Sequence, residues 1–369
     1  MHFGFALFKY FPFGGLQRDM LAIARACMAR GHRVTVFCGG WEGEKPADID
    51  VVTVPVSGVS NHARDAAFAQ ALPGAIKSRT LDKVVGFNKM PGLDFYYAAD
   101  SCFAAKIHEE RGFLYRFLPR ARSYQRMEAG VFAATATTRV LLISEPEMAV
   151  FKQYYGTPET RMRLLPPGIR RDRVMPSDYA ERRAAFRAAQ GWGDAERIIL
   201  FVGSGFRTKG LDRALRALAS QLQAGQTTRM LILGKDKAEK FEALARNLGI
   251  ASQVTFLGGV NNVSEYLWAA DVLLHPAYRE NTGTVLLEAM VAGLPVVTTN
   301  ACGYAAYVTR ERMGEVVPNP VVQADLDEAL RRVLSENGDT WRARGLTFAH
   351  NADIYDMPAR AAELLENWQ

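Results

Sequence analysis

The sequence predicts an α/β protein built from two doubly wound parallel sheets, and three observations carry that prediction. Short apolar runs alternate with helical patterns from one end of the chain to the other, as in a series of βα units. The alternation breaks at Leu165-Pro-Pro-Gly-Ile169, where two prolines and a glycine extend neither strand nor helix easily, and a polar, Arg-rich segment runs from there to about Asp194. The chain has 369 residues, more than a single core usually serves. We therefore expect a first domain over 1–166, an interdomain linker in the Arg-rich segment, and a second domain over 167–347. A C-terminal helix over 348–369 is expected to pack back on the first domain.

Taken in order, the first unit is a strand His2 to Phe8, a loop Phe11-Pro-Phe-Gly14-Gly15, a helix from about Leu16 to Arg30 stopped by Gly31, and a strand Arg33 to Cys38. Val51–Val56, Val84–Asn88, Val140–Ser144 and Arg163–Leu165 complete the first sheet. The second sheet is expected from Ile198–Gly203, Met230–Gly234, Val254–Leu257, Val272–His275 and Val296–Thr299. Helices near Leu211–Leu222, Lys237–Leu248, Val263–Ala270 and Thr284–Ala292 separate these strands.

A hydrophobic content of 49% and a charged content of 23% describe a globular chain able to bury two cores. The start, Met1 to Gly14, is apolar but lacks a basic leader and is interrupted by Lys9 and Pro12, so it reads as a buried strand rather than a secretion signal. No stretch approaches the length of a transmembrane helix. Cys27, Cys38, Cys102 and Cys302 lack C-x-x-C spacing, which points away from zinc and from a disulfide framework and toward a reducing cytoplasm. The net charge of +6 suits an anionic partner. Much of it lies between Phe103 and Phe132, where Lys106, Arg111, Arg116, Arg120, Arg122 and Arg126 interleave with Phe113, Leu114, Tyr115, Phe117, Leu118 and Tyr124. Only Glu109, Glu110 and Glu128 oppose them.

Ligands of doubly wound sheets sit beyond the carboxyl ends of the strands. Here those loops hold Gly14-Gly15, Gly203-Ser-Gly-Phe-Arg207-Thr-Lys209 and the segment at Glu280, which converge if the two domains face each other across a cleft. Glu280 and Glu288 stand eight residues apart. Gly283 and Thr284 between them read as a helix start, whose unpaired N–H groups and positive dipole end suit a phosphate. Glu288, a turn further on, and Glu280, in the loop before, would flank that anion. A carboxylate accepts two hydroxyls at once, as the vicinal diols of a ribose and a hexose present. A sugar nucleotide has both diols with a diphosphate between them. The helix Thr284 to Gly293 is apolar on nearly every face, so an unpaired Glu288 would be costly there; a structural salt bridge would also satisfy it.

These residues resemble the retaining glycosyltransferases of GT-B architecture, with two facing Rossmann-like domains and an E-x7-E signature in the second. Within that group, Tyr10-Phe-Pro-Phe-Gly-Gly-Leu-Gln-Arg-Asp19, Val84-Val-Gly-Phe-Asn-Lys-Met-Pro-Gly-Leu-Asp94, Ala98-Ala-Asp100, Gly112-Phe-Leu-Tyr-Arg116 and His275-Pro-Ala-Tyr278 are similar to stretches of the lipopolysaccharide core glucosyltransferases, and the resemblance spans essentially the whole chain. It implies that Glu280 holds hydroxyls of the transferred hexose, that Glu288 binds the ribose, and that Arg207 and Lys209 neutralise the diphosphate. Arg207 stands one position before the arginine expected beside that lysine, with Thr208 between. Gly14 and Gly15 would let the backbone approach the phosphates, or form a plain tight turn.

Asp19 and Asp100 look like acceptor-side acids. Each also has a plainer reading, Asp19 as a first-turn helix charge and Asp100 as a cap of the following helix. The basic aromatic segment looks like a surface for an anionic membrane; it can equally be a solvated helical face with its aromatics in the core.

The resemblance implies transfer of a hexose, UDP-glucose being the expected donor, to an inner-core heptose of lipopolysaccharide at the inner face of the cytoplasmic membrane. The developing diphosphate charge would meet Lys209, Arg207 and the helix tip, with no metal ion and no cofactor required, and retention would come from same-face attack. Nucleic acid is not an expected partner. Asn281 and Thr282 stand where small or apolar residues are expected, which leaves UDP-galactose or an N-acetylhexosamine as other donors. Asp48-Ile-Asp50 and Asp325-Leu-Asp327 mimic a metal motif but read as solvated charge, and His275 reads as a hydrogen-bonded cleft residue. A sugar-nucleotide epimerase and a non-catalytic membrane-binding module are the competing functions.

Overall fold

The computed structural model describes every residue except Phe13, Asp194 and Gln369, together with all side chains in its helices and strands other than those of Glu110 and Phe113. The expectations that fall on Phe13, Asp194 and Gln369, and on the Glu110 and Phe113 side chains, lie outside the described residues. Two units divide the chain: Met1–Gly168 with Asp356–Gln369, and Ile169–Tyr355.

In the first unit, strands β1 (His2–Leu7), β2 (Arg33–Cys38), β3 (Asp50–Thr53), β4 (Lys83–Gly86), β5 (Phe95–Ala98), β6 (Arg139–Leu142) and β7 (Met162–Leu164) form one sheet in the order β3-β2-β1-β4-β5-β6-β7. Every pairing is parallel. Helices α1 (Gly15–Ala29), α2 (Asn61–Lys77), α3 (Phe103–Glu110), α4 (Pro119–Phe132) and α5 (Glu145–Tyr155) connect them. Period-2 alternation sends Phe3, Phe5 and Leu7 to one face, against Met20 and Ile23 of α1, while Ala6 and Phe37 face Phe68, Phe132 and Phe151 on the other. Strand β5 is absent from the sequence-based assignment. It is four residues long and buried on both sides, so it shows neither the length nor the alternation that marks a strand.

The second unit carries β8 (Arg197–Val202), β9 (Thr228–Leu233), β10 (Val254–Gly258), β11 (Val272–His275), β12 (Val296–Thr299) and β13 (Gly314–Val317), in the order β10-β9-β8-β11-β12-β13, again all parallel. Its helices are α6 (Tyr179–Ala189), α7 (Leu211–Gln223), α8 (Glu239–Asn247), α9 (Val263–Ala269), α10 (Thr284–Val291), α11 (Ala305–Arg310), α12 (Gln323–Ser335) and α13 (Gly338–Asn351). The Arg-rich segment is not a linker. It contains α6, whose Arg183 and Arg187 grip the mostly buried Asp271 at 2.6 and 3.3 Å, so its charge serves the fold of the second unit.

The return to the first unit comes at Asp356 rather than at 348, because α13 packs within the second unit. Helix α14 (Met357–Glu366) then lies along α1, fixed by Arg30 to Glu366 at 2.5 Å and by Lys83 donating to the Leu365 carbonyl at 2.6 Å.

Candidate active site

In the second sheet the chain runs outward from β8 to β9 on one side and from β11 to β12 on the other. The crevice between β8 and β11 is thus the topological switch point where doubly wound folds bind ligands. Two loops leave it, Gly203–Gly210 into α7 and Pro276–Gly283 into α10. Gly210 caps α7 at φ +78°, and a Cβ there would stand 2.0 Å from the Pro276 carbonyl oxygen. Only glycine permits that approach. Tyr278 N–H, donating to the Thr208 carbonyl at 2.9 Å, ties the loops together, and Glu280 N–H donates to the Ala301 carbonyl at 3.2 Å.

The consequence is an ion pair between Lys209 and Glu280, whose side chains are 22% and 13% exposed. Burial pushes the Lys209 ammonium down to about 8, which leaves most of its charge in place at neutral pH. His275, at the end of β11, is 1% exposed, and its Nε2 stands 3.4 Å from Glu280 Oε2. Burial, then the Lys209 charge, hold it down to about 3, so the ring is neutral. Neither ring nitrogen has a hydrogen bond among the described residues, which corrects the expectation of a hydrogen-bonded residue.

Gly283 caps α10 at φ +79°, and the first turn holds neither a side-chain cap nor an acid, leaving its N–H groups directed outward at Thr284. Glu288 is buried on the same helix, and the Arg173 guanidinium lies 3.7 Å from it. The contact is looser than a hydrogen bond: Arg173 donates through Nη1 to Ser264 at 2.6 Å while its Nε has no hydrogen bond among the described residues. Arg173 was missed in sequence because it falls in the segment read as linker. Arg207 is exposed and makes no ion pair among the described residues.

In the first unit, Gly14 is the N-cap of α1 in extended conformation, Arg18 N–H donates to its carbonyl at 3.0 Å, and Gly15 begins the helix. Asp19 lies beyond the first turn, so it is not a terminal helix charge. Its carboxylate turns inward, accepts the Tyr97 hydroxyl at 2.9 Å and sits beside Arg18 at 3.3 Å. Burial raises its pKa, opposed by Arg18 and the Tyr97 hydroxyl.

Asp100 does not cap α3: the Phe103 and Ala104 N–H groups are taken by Glu128 at 2.7 and 2.9 Å, and the Cys102 N–H by Glu147 at 2.8 Å. It is exposed instead on a cavity of about 350 Å³ that Asp65, Asn88, Lys89, Lys106 and Tyr124 also line.

Glu128 is no surface counter-charge. It is fully buried on α4, paired with Lys89 at 2.5 Å and accepting the Tyr155 hydroxyl at 2.6 Å. The rest of the basic segment divides. Phe132 packs in the core, whereas Leu114, Phe117 and Leu118 are exposed beside Arg111, Arg120 and Arg122, with the Arg122 guanidinium 5.8 Å from the Phe117 ring. Of the acidic pairs, Asp48 meets Arg25 at 3.3 Å and Asp50 meets Arg79, and Asp327 accepts from Gln323 at 2.7 Å.

Residues 182–344 match the family model described as glycosyl transferases group 1, and residues 13–173 match glycosyltransferase family 4. The chain is 43% identical over 364 residues to the lipopolysaccharide glucosyltransferase WaaG of Escherichia coli, covering 98% of this chain and 97% of that one. It superposes on a crystal structure of WaaG, a glycosyltransferase involved in lipopolysaccharide biosynthesis, with a TM-score of 0.92 over 98% and 99% of the two chains. Anabaena HepE in complex with UDP-glucose shares the fold at 17% identity, with a TM-score of 0.75 over 99% of each chain. Two parallel doubly wound units, a basic residue locked on the first glutamate of an E-x7-E pair, and near full-length identity to WaaG make this chain a sugar-transferring enzyme of the GT-B fold, belonging to the WaaG family of group 1 glycosyltransferases.

Proposed function

We propose that this enzyme transfers a hexose from a UDP-sugar, glucose by preference, to an inner-core heptose of lipopolysaccharide with retention of the anomeric configuration. The observation that carries the reading is the crevice between β8 and β11, where Lys209 and Glu280 meet beside the uncapped start of α10. Without donor the two side chains neutralise each other. With donor, Lys209 turns to the diphosphate and Glu280 to hexose hydroxyls, so each charge exchanges one buried partner for another and neither is stranded. The N–H groups at Gly283 and Thr284 receive a phosphate, with Arg207 at the rim, and Glu288 takes the ribose diol from the side of Arg173.

Cleavage of the sugar–phosphate bond puts positive charge on the anomeric carbon and negative charge on the departing UDP. Fixed positive groups stabilise the second charge without reorganising, which is the largest contribution a protein makes to such a step. These groups match the diphosphate charge without a divalent ion. The leaving phosphate oxygen takes the acceptor proton as the acceptor hydroxyl attacks from the same face, which gives retention. On the first unit, Gly14 and Gly15 offer bare backbone at the start of α1, and Asp19 and Asp100 are acceptor-side acids. The exposed Leu114, Phe117 and Leu118 among arginines would rest on an anionic leaflet, an arrangement that suits a lipid-linked acceptor and a peripheral position on the cytoplasmic membrane.

The test is UDP release across a donor panel with heptose-terminated core lipopolysaccharide. Acceptor-dependent release, fastest with UDP-glucose, an α-linked product and loss of turnover in Glu280→Ala are expected. Turnover without acceptor that yields an isomerised sugar nucleotide, or full activity in Glu280→Ala, refutes the reading.

A further inference from the structure

His275 is the buried titratable group that the proposed reaction leaves unused. It ends β11, is 1% exposed, and stacks at 6.1 Å on Phe201 of β8. Its backbone carbonyl is engaged twice, accepting the Thr298 hydroxyl at 2.9 Å and the Ala277 N–H at 2.9 Å. The ring is the exception, since both nitrogens are buried without a hydrogen bond among the described residues. Buried polar nitrogens are ordinarily bonded, and each left unbonded costs its desolvation. The polar group facing Nε2 is the Glu280 carboxylate, at 3.4 Å.

We infer that His275 is a positioning residue for the transfer, its neutral Nε2–H closing a hydrogen bond to Glu280 when Lys209 leaves that carboxylate for the diphosphate. The inference rests on the proposed hexose transfer. Its physical basis is the exchange of partners. A buried carboxylate that loses its lysine would turn toward whatever donor remains, and free rotation would blur the placement of the two oxygens against the hexose hydroxyls. A donor fixed on a rigid strand end holds one oxygen and leaves the other lone pairs for the sugar. A neutral imidazole suits this place better than a second cation, because it orients Glu280 without competing with Lys209 for its charge.

Because His275 acts through Glu280 alone, its effect is confined to the hexose. The experiment compares wild type with His275→Leu and His275→Gln, measuring UDP affinity, UDP-glucose kcat/KM and thermal unfolding. His275→Leu is expected to bind UDP as wild type does and to lose about ten- to a hundredfold in kcat/KM. His275→Gln, which keeps a donor near the Nε2 position, is expected to recover most of that loss.

Wild-type turnover in a folded His275→Leu enzyme overturns the inference, and so does a His275→Gln enzyme as impaired as His275→Leu. If His275→Leu does not fold, nitrogen-15 spectra of the wild-type histidines decide: an Nε2–H resonance of His275 that shifts when UDP-glucose binds, and stays in place with UDP, supports the inference, and one that ignores both overturns it. Glu280→Ala separates the two claims. An active Glu280→Ala enzyme removes the proposed function itself, whereas an inactive one beside a fully active His275→Leu removes only the role of the histidine.

Discussion

Gly210→Ala tests whether the close approach of two loops builds the site, and Gly225→Ala is its control. Both glycines sit at φ +78°, where an L-residue with a Cβ costs about 1–2 kcal/mol. At Gly225, just past the end of α7, an added Cβ meets nothing within 4 Å, so that cost is the whole effect. At Gly210 the Cβ would lie 2.0 Å from the Pro276 oxygen, where real contacts begin near 3.0 Å. The loops must part by about 1 Å, which also loosens the Tyr278 to Thr208 hydrogen bond, worth roughly 1 kcal/mol.

We expect Gly210→Ala to cost about 3 kcal/mol or more in urea unfolding, and Gly225→Ala about half of that. Lys209 is the residue before it, so the same movement withdraws it from Glu280, and a misplacement of that size lowers turnover by about a hundredfold. Turnover is measured on both variants under conditions where each is fully folded. Equal unfolding costs, or an undiminished Gly210→Ala enzyme, would show that the backbone contact does not set the geometry.

The first unit yields three further expected outcomes. Glu128→Gln leaves the Lys89 charge with the Ser101 carbonyl but no counter-ion and sets an amide against one of the two N–H groups of α3, so urea unfolding should show a loss of about 3–5 kcal/mol; a loss under 1 kcal/mol contradicts the buried pair. Asp19→Asn should stabilise the fold at neutral pH. Burial holds the Asp19 carboxyl above its ordinary range, so the folded state binds the proton more tightly than the unfolded one, and stability is lost as pH rises from the ordinary carboxylate value through the raised one. Unfolding midpoints from pH 4 to pH 8 should therefore fall less in the variant, and a parallel fall in both proteins is the contrary result. Arg120→Ala with Arg122→Ala removes about 1 kcal/mol per residue of attraction to an anionic surface, or roughly thirtyfold together in binding to phosphatidylserine vesicles; unchanged binding removes the membrane role.

Most of the parallel framework was legible because buried βα units write themselves as apolar runs of strand length, and 11 of the 13 strands among the described residues fall where such runs occur. The two that escaped are four-residue strands, β5 without alternation and β13 opening on a glycine. Helix α6 escaped because its arginines face Asp271 rather than solvent, and polarity alone cannot distinguish a charge that grips a buried acid from one that faces water.

In the candidate site, the eight-residue interval between Glu280 and Glu288 and the glycine before α10 were local features, carried by a loop and the helix it enters and therefore present in the sequence. The contact of Lys209 with Glu280, the approach of Arg173 to Glu288 and the unbonded ring of His275 were not. The two ion contacts join residues far apart in the chain, and their meeting depends on strand order, on a glycine at Gly210 that lets two loops touch, and on which side of a helix faces inward; the lack of a partner for the His275 ring among the described residues follows from its burial at the end of β11. Local propensity fixes what a segment can become, whereas the partner of a buried charge is chosen only when the sheet brings distant loops to one edge.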